Sequence, residues 1–177
     1  PNWISLMPNF MAIGKKMGWD MSRVVAIMPE VDLQYRVTNW LRVGPGYRLE
    51  RELTGQDQFE TRHRLFFDAN LRHDAGRVRL GYRARVQEQF RNNGNRTIWR
   101  NKLGAAWRGS RPWQPGASVE VFHDLADGTM RKWRMTIGIE YQLRRGRDIE
   151  VYYRYEDPDD PQDPELHILG MGFKQDL

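Results

Sequence analysis

The sequence predicts an all-β protein, a closed antiparallel up-and-down transmembrane β-barrel of about ten strands (range about 8–12). Three observations predict it. Residues 77–91 alternate two kinds of side chain: Val78, Leu80, Tyr82, Ala84, Val86 and Phe90 share one face, interrupted by Glu88, and Arg77, Arg79, Arg83, Arg85, Gln87 and Arg91 share the other. Side chains alternate across a strand, so this period of two makes a ribbon apolar on one side and cationic on the other. The same division recurs in runs of 13 to 16 residues, longer than the ~5–6 residues of ordinary globular strands. Aromatic residues on the apolar face recur eight apart, as Trp99 and Trp107, Trp133 and Tyr141, and Tyr82 and Phe90. On a strand tilted by about 40°, eight residues rise about 21 Å, close to the ~25 Å band between the two aromatic girdles of a membrane barrel.

The elements follow in order. Residues 3–13 make a weaker candidate for a first strand, and 14–21 read as a loop or short helix. Residues 1–21 therefore stand as an uncertain N-terminal segment or first strand, with a plug or a periplasmic extension as the other options, and 22–177 as the barrel. Period-two segments cover 22–37, 40–52, 58–73, 77–91, 96–109, 116–125, 131–145, 148–157 and 165–175. In 22–37, Val25, Ile27, Val31, Leu33, Tyr35 and Val37 oppose Glu30, Asp32, Gln34 and Arg36, and Pro29, which has no N–H to give a ladder, predicts a bulge. In 58–73, Leu65, Phe67, Ala69 and Leu71 oppose Arg62, Arg64, Asp68 and Asn70. In 131–145, Trp133, Met135, Ile137, Ile139 and Tyr141 oppose Arg134, Glu140 and Gln142, and in 148–157 Ile149, Val151 and Tyr153 oppose Glu150, Arg154 and Glu156. Thr38-Asn39, Asp74-Ala75-Gly76, Asn92-Asn93-Gly94-Asn95, Asp127-Gly128 and Arg145-Gly146 supply turn chemistry between them. Asn101 and His63 break the pattern on the apolar side, and Ile98 and Phe122 on the polar side.

Which face looks inward decides the class. In a soluble sandwich or barrel the apolar face fills the core and the arginines meet water. Against that stand the aromatic interval, the strand length, a polar face that mixes signs and carries Gly44, Gly46, Gly81, Gly104, Gly138, Gly170 and Gly172, and connections that alternate short and long as in outer-membrane barrels. The apolar face then looks at lipid. Turning residues 77–91 inside out would expose Arg79, Arg83 and Arg85 at about 2–4 kcal/mol each near the midplane. Closure follows as well, because hydrocarbon leaves no partner for an unpaired backbone group.

Composition agrees with one domain. The chain has 177 residues, no cysteine and a net charge of +5, with mean hydropathy −0.78. Disulfides, thiol catalysis and thiolate metal sites are excluded. No apolar run is long enough for a membrane helix. The arginines are spread among Glu and Asp rather than gathered into the patch a nucleic-acid binder presents. The chain opens at Pro1 without Met or a signal pattern, which reads as a processed or truncated product.

The succession Tyr35-Arg36, Gly46-Tyr47-Arg48-Leu49-Glu50-Arg51, Glu60-Thr61-Arg62, Gly81-Tyr82-Arg83-Ala84-Arg85, Glu140-Tyr141 and Leu169-Gly170-Met171-Gly172-Phe173 resembles a family of small uncharacterised bacterial outer-membrane barrels, a domain-of-unknown-function family. The resemblance covers roughly 30–177. It implies a Gram-negative outer membrane and no established activity or site. Barrels of this kind often end on an aromatic residue, whereas this sequence reads Phe173-Lys174-Gln175-Asp176-Leu177, with Leu177 in phase with Phe173.

The expected role is a structural or interaction scaffold with a charged, largely side-chain-filled lumen, surrounded by outer-membrane lipid, with protein partners in the envelope and none of nucleic acid. The lumen network is expected from Arg62, Arg64, Arg79, Arg83, Arg85, Arg100, Arg134, Glu120, Glu140, Glu150 and Arg154, and the lipid-interface aromatics are Tyr82, Phe90, Trp99, Trp107, Trp133 and Tyr141. The alternatives are a narrow pore for small anionic solutes and a soluble β-barrel binding a ligand or nucleic acid through its arginine face. Asp157, Asp159, Asp160 and Asp163 are a weak Ca²⁺ candidate, since oxygen ligands are dense there but the EF-hand spacing is absent; no cofactor is expected. His63, His73, His123 and His167 are scattered, and His123-Asp124 with Ser118 is the one pairing relevant to catalysis, so no enzyme activity is expected. Arg51, Arg91, Arg96 and Arg131 stand where lipid phosphates would lie.

Overall fold

Alternation sustained over a dozen residues gives strands, and strands joined by short turns pair with their chain neighbours. The computed structural model describes residues 4–15, 24–53, 59–90, 94–109, 112–144, 147–159 and 165–175. They form strands β1 (Ile4–Lys15), β2 (Val24–Arg36), β3 (Leu41–Leu53), β4 (Phe59–Ala75), β5 (Val78–Phe90), β6 (Arg96–Trp107), β7 (Trp113–Asp124), β8 (Met130–Arg144), β9 (Arg147–Pro158) and β10 (Leu166–Gln175). Every pairing is antiparallel between neighbours, and β1 pairs with β2 on one side and with β10 on the other, through Phe10↔Phe173 and Ala12↔Met171. The row of cross-strand partners that leaves β4 at Asp74 runs once round the ring and re-enters β4 at Glu60. With ~3.3 Å per residue along a strand and ~4.8 Å between strands, that stagger tilts the strands by roughly 45°.

The turns divide into two ends. At one end residues 37–40 and 76–77 make short links; Thr38 Oγ1 accepts from the Leu41 N–H at 3.0 Å, and Gly76 takes φ 61. At the other end the link after β7 is built on Asp124, whose carboxylate accepts from the Ala126 N–H at 3.0 Å and whose carbonyl accepts from Gly128 at 2.9 Å, with Gly128 at φ 72. Positive φ at these two positions suits glycine. We refer to them as the short-turn end and the long-loop end.

Burial is inverted relative to a soluble barrel. Leu103 is 63 % exposed and Met171 59 %, whereas Arg85, Asp68, Glu120 and Arg100 are buried. The buried residues of β2 to β10 sit on the polar-phase face and the exposed large apolar ones on the other. The soluble reading fails on this point, because a water-facing arginine surface is not what the arginines form.

Two expectations need correction. No bulge occurs at Pro29: in the β2–β3 ladder Ile27↔Arg51 and Glu30↔Arg48 keep one register across it. The missing donor removes pairing at 28–29 without inserting a residue, and the register shift of β2 lies against Ile13/Gly14 of β1 instead. Strand β7 starts at Trp113 rather than 116, since Trp113↔Tyr141 is its first pair with β8. Residues 4–15 are a strand inserted between β2 and β10.

Ile137, at the middle of β8 and outward, tests the inversion: Ile137→Arg is expected to lower stability in lipid by about 2–4 kcal/mol, read by denaturant unfolding from vesicles. A change under about 0.5 kcal/mol, ordinary for a water-facing position, would reject an apolar surrounding.

Candidate functional site

The inward face concentrates charge, and most of its buried charges meet a partner among side chains. The centre is Arg85 on β5. It forks onto Asp68 of β4, with Nε and Nη2 each 2.7 Å from a carboxylate oxygen, and reaches across to Glu30 of β2 at 3.4 Å. Its guanidinium lies 3.6 Å above the Phe66 ring. Arg85 is 1 % exposed and Asp68 2 %. Glu30 also accepts from Arg48 Nε at 2.5 Å, and Arg64 pairs with Glu50.

A second centre is Glu120 on β7, 2 % exposed. It accepts from Arg83 at 3.0 Å, from Arg100 Nη2 at 2.8 Å and from Arg134 at 3.3 Å. Arg100, itself 3 % exposed, also donates to Gln87 at 2.8 Å. Arg134 continues to Glu156 at 2.6 Å, which Lys132 reaches at 2.5 Å. Planar guanidiniums suit this sharing, because one fork serves two acceptors and a ring at once. Phe122, out of phase by hydropathy, faces inward with Arg100 and Arg134 each 4.6 Å from its ring centroid and Lys132 at 5.1 Å.

Smaller clusters close the two ends. At the short-turn end Asp74 takes Arg72 at 2.7 Å, Arg79 at 3.2 Å and Arg108 at 3.4 Å. At the long-loop end Asp124 takes Arg96 at 2.5 Å and Arg131 at 3.2 Å, and Arg131 also meets Asp127 at 2.8 Å. Hydrogen bonds from the Thr129 hydroxyl and N–H hold the Asp127 carboxyl below the usual carboxylate range.

The structure thus brings Arg64, Arg83, Arg85, Arg100, Arg134 and Glu120 into the lumen core. Arg79 lies at the short-turn mouth, and Arg62 pairs with Glu60 near the long-loop end at 2.5 Å. Glu140 and Glu150 are cross-strand neighbours on the inner face, and Arg154 stacks on Tyr152 at 4.7 Å and donates to Thr136. The partners that the sequence reading left out of the network are Glu30, Arg48, Glu50, Asp68, Lys132 and Glu156. Their phase was the available signal, but which carboxylate meets which arginine depends on register and on reach across the lumen. Of the Ca²⁺ candidates, Asp157 accepts from the Trp133 indole N–H at 2.9 Å, Asp159 is exposed, and Asp160 and Asp163 lie outside the described residues. The Ser118–His123 pairing dissolves: opposite parity puts Ser118 in the lumen and His123 on the outer wall beside Trp99, ring centroids 6.2 Å apart. Arg96 and Arg131 hold carboxylates, Arg51 is exposed, and Arg91 lies outside the described residues.

The outer wall carries the expected aromatics. Tyr82, Phe90, Trp99 and Trp107 are exposed, and Trp133 and Tyr141 are half-covered by Tyr155 and Trp113 at 5.5 and 4.6 Å between centroids. Polar residues on this wall are met in one repeated way. Tyr82 Oη donates to Asn101 at 2.6 Å, Tyr47 Oη pairs with His63 Nδ1 at 2.6 Å, and Tyr153 Oη pairs with His167 Nδ1 at 2.5 Å. In all three the partners are diagonal across adjacent strands, within reach of an aromatic side chain. His63 and Asn101, anomalous by phase alone, thereby each find a partner on the wall.

Two cycles test these arrangements. Asp68→Leu alone is expected to cost about 3–5 kcal/mol by stranding the Arg85 charge, whereas Asp68→Leu with Arg85→Met costs far less; equal costs in unfolding titrations would refute the coupling. Tyr47→Phe is expected to cost about 1–3 kcal/mol by orphaning His63, and adding His63→Leu to restore most of it; additive losses would reject the pair.

Among solved structures the chain is similar to the NanC porin, with TM-score 0.53, 9% identity, and coverage of 99% of this chain and 100% of that one. It is similar to the translocator domain of the autotransporter NalP from Neisseria meningitidis, with TM-score 0.52, 11% identity and coverage of 97% and 88%. A third is the KdgM porin, solved in complex with disordered oligogalacturonate, with TM-score 0.50, 9% identity and coverage of 96% and 98%. At such identities the likeness is one of fold, and the fold is that of bacterial outer-membrane β-barrel proteins. No curated protein sequence matches the chain. The family model described as protein of unknown function, DUF2490, matches residues 15–165, well over half of the length and starting earlier than the residue-30 limit drawn from short motifs, so the chain belongs to the DUF2490 family.

Proposed function

We propose that this protein is a closed ten-stranded barrel of the outer membrane whose lumen is blocked by its own side chains, and that it serves as a non-catalytic scaffold for partners in the envelope. Outer-membrane lipid covers its wall. The observation that carries the reading is the burial of the Arg85–Asp68 and Arg100–Glu120 pairs, each residue 1–3 % exposed, on β4 to β7 at one level of the barrel. A conducting path through that level would hydrate those groups. Closure of β1 on β10 supports it further, since an open edge has no partner in hydrocarbon. The short turns then lie on the periplasmic side and the longer loops outside, as in other barrels of this class.

Two measurements test it. The folded protein is expected to migrate differently on a gel before and after boiling, and to give no steady current in planar bilayers. Arg85→Ala with Arg100→Ala, which removes the two buried guanidiniums, is expected to open measurable conductance. Steady anion-selective current through the unaltered protein would favour the narrow pore and overturn the blocked lumen.

A further inference from the structure

The lumen is not uniformly filled. On β5, β6 and β7 the inward residues change from half-buried to buried at the same level. Arg79, Gly81 and Arg83 are half-buried but Arg85, Gln87 and Gln89 are buried. Gly104 and Lys102 are half-buried but Arg100 and Ile98 are buried. Gln114, Gly116 and Ser118 are half-buried but Glu120, Phe122 and Asp124 are buried. The half-buried side is the short-turn side on all three strands. The buried stretch therefore fills the middle and the long-loop half along this wall, and we read the half-buried stretch toward the short turns as a vestibule confined to this side, since Asp32 and Gln34 of β2 and Gly170 and Gly172 of β10 are buried in their short-turn halves.

We propose that this vestibule is a binding site for a small free oxyanion, a carboxylate- or phosphate-bearing solute, held by Lys102, Arg83 and Arg154. The inference rests on the blocked-lumen reading, because a blocked lumen makes the vestibule a pocket rather than a passage.

Three observations carry it. First, Lys102 has no hydrogen bond and no ion pair among the described residues. It is the direct cross-strand neighbour of both Arg83 and Glu120, yet Glu120 is already shared by Arg83, Arg100 and Arg134. Arg83 and Arg154 lie near enough to repel the Lys102 ammonium, and Glu120 and Glu150 near enough to attract it. Second, Arg83 holds Glu120 with Nη2 only, and its Nε is buried without an acceptor. Two adjacent cations thus have donors to spare at the floor of the same vestibule. Third, the row just below that floor consists of Gly81, Gly104, Ser118, Thr136 and Arg154, successive cross-strand partners. Small residues line this row; an added Cβ at Gly81 would meet its first heavy atom only at 3.9 Å, whereas one at Gly104 would meet the Ser118 Cβ at 3.2 Å. Thr136 Oγ1 and Arg154 Nε lie 3.3 Å apart on the far side of the row.

Elsewhere in the barrel guanidiniums gather on carboxylates that they touch, as at Asp68, Asp74 and Asp124. Here Lys102 and Arg154 touch no carboxylate among the described residues and Arg83 shares Glu120 with Arg100 and Arg134, and an unpaired buried cation is costly. A compact oxyanion supplies the missing acceptors. The mouth also favours its entry, since Arg72, Arg79 and Arg108 share the single Asp74 there. Glu140 and Glu150, on β8 and β9 nearer the short turns than Thr136 and Arg154, restrict the occupant to a small anion and disfavour a polyanion threaded along the lumen.

The test uses the full chain folded in neutral detergent, with inorganic phosphate and succinate as probes, titrated calorimetrically against a constant chloride background. Saturable binding of at least one probe is expected, and Lys102→Met is expected to weaken it by about tenfold or more, the loss of one charge-assisted contact. Arg131→Gln, at the far end, is expected to leave binding unchanged. The heat-modifiable gel shift confirms that each variant is folded; where Lys102→Met does not fold, Ser118→Leu, which fills the vestibule beside Gly104, serves in its place. Absence of saturable heat with both probes, or equal affinity in a folded Lys102→Met, would overturn the site. Binding is scored separately from conductance. A conducting barrel that still binds phosphate through Lys102 defeats the blocked lumen alone, and a silent barrel that does not bind defeats the site alone.

Discussion

The pairing of buried guanidiniums with buried carboxylates is the interaction on which this barrel depends. Hydrocarbon around the wall demands an apolar outer face, and a strand offers only two faces. Away from the rims, charge is consequently driven inward. A narrow ring leaves little water there to solvate it, so each arginine needs an acceptor and each carboxylate several donors. Arg85 on Asp68 and Glu30, and Glu120 under three arginines, are the results of that constraint. Replacing such pairs by apolar side chains is often no worse for stability.

The wall obeys the complementary rule. A polar side chain facing lipid has to be answered by another from the wall, and tyrosine is suited to this because its ring is apolar and its hydroxyl sits far from the backbone. The three diagonal pairs, Tyr82–Asn101, Tyr47–His63 and Tyr153–His167, use the same two-residue offset on three different seams. The indole of Trp133 answers Asp157 in the same spirit near the long-loop rim. Prolines are absorbed differently. Pro29 and Pro45 forgo ladder pairs between β2 and β3 while the register runs on unchanged.

Along β5, β6 and β7 burial separates a long-loop stretch from a half-buried short-turn one, and the proposed site lies at that boundary. Plugging by fixed ion pairs is compatible with a scaffold. The cations left over at the boundary are what a scaffold alone does not explain, and they make the short-turn mouth the part of the molecule with chemistry to offer.

How much of this was legible in the sequence follows from what alternation encodes. The unbroken phase of residues 77–91, the eight-residue aromatic interval and the turn residues between segments determined an all-β antiparallel chain, its strands to within a few residues, and the choice of face, because these depend on neighbours along one strand and on the cost of placing arginine in lipid. The same phase placed Arg85, Arg100 and Glu120 inside. What phase cannot carry is the relation between strands. Register and stagger decided that Arg85 meets Asp68 and Glu30 rather than another carboxylate, that Phe122 turns inward beneath three cations, that Ser118 and His123 part to opposite faces, and that Lys102 is left over. Those outcomes arise from distances across a closed ring, and only closing the ring sets them.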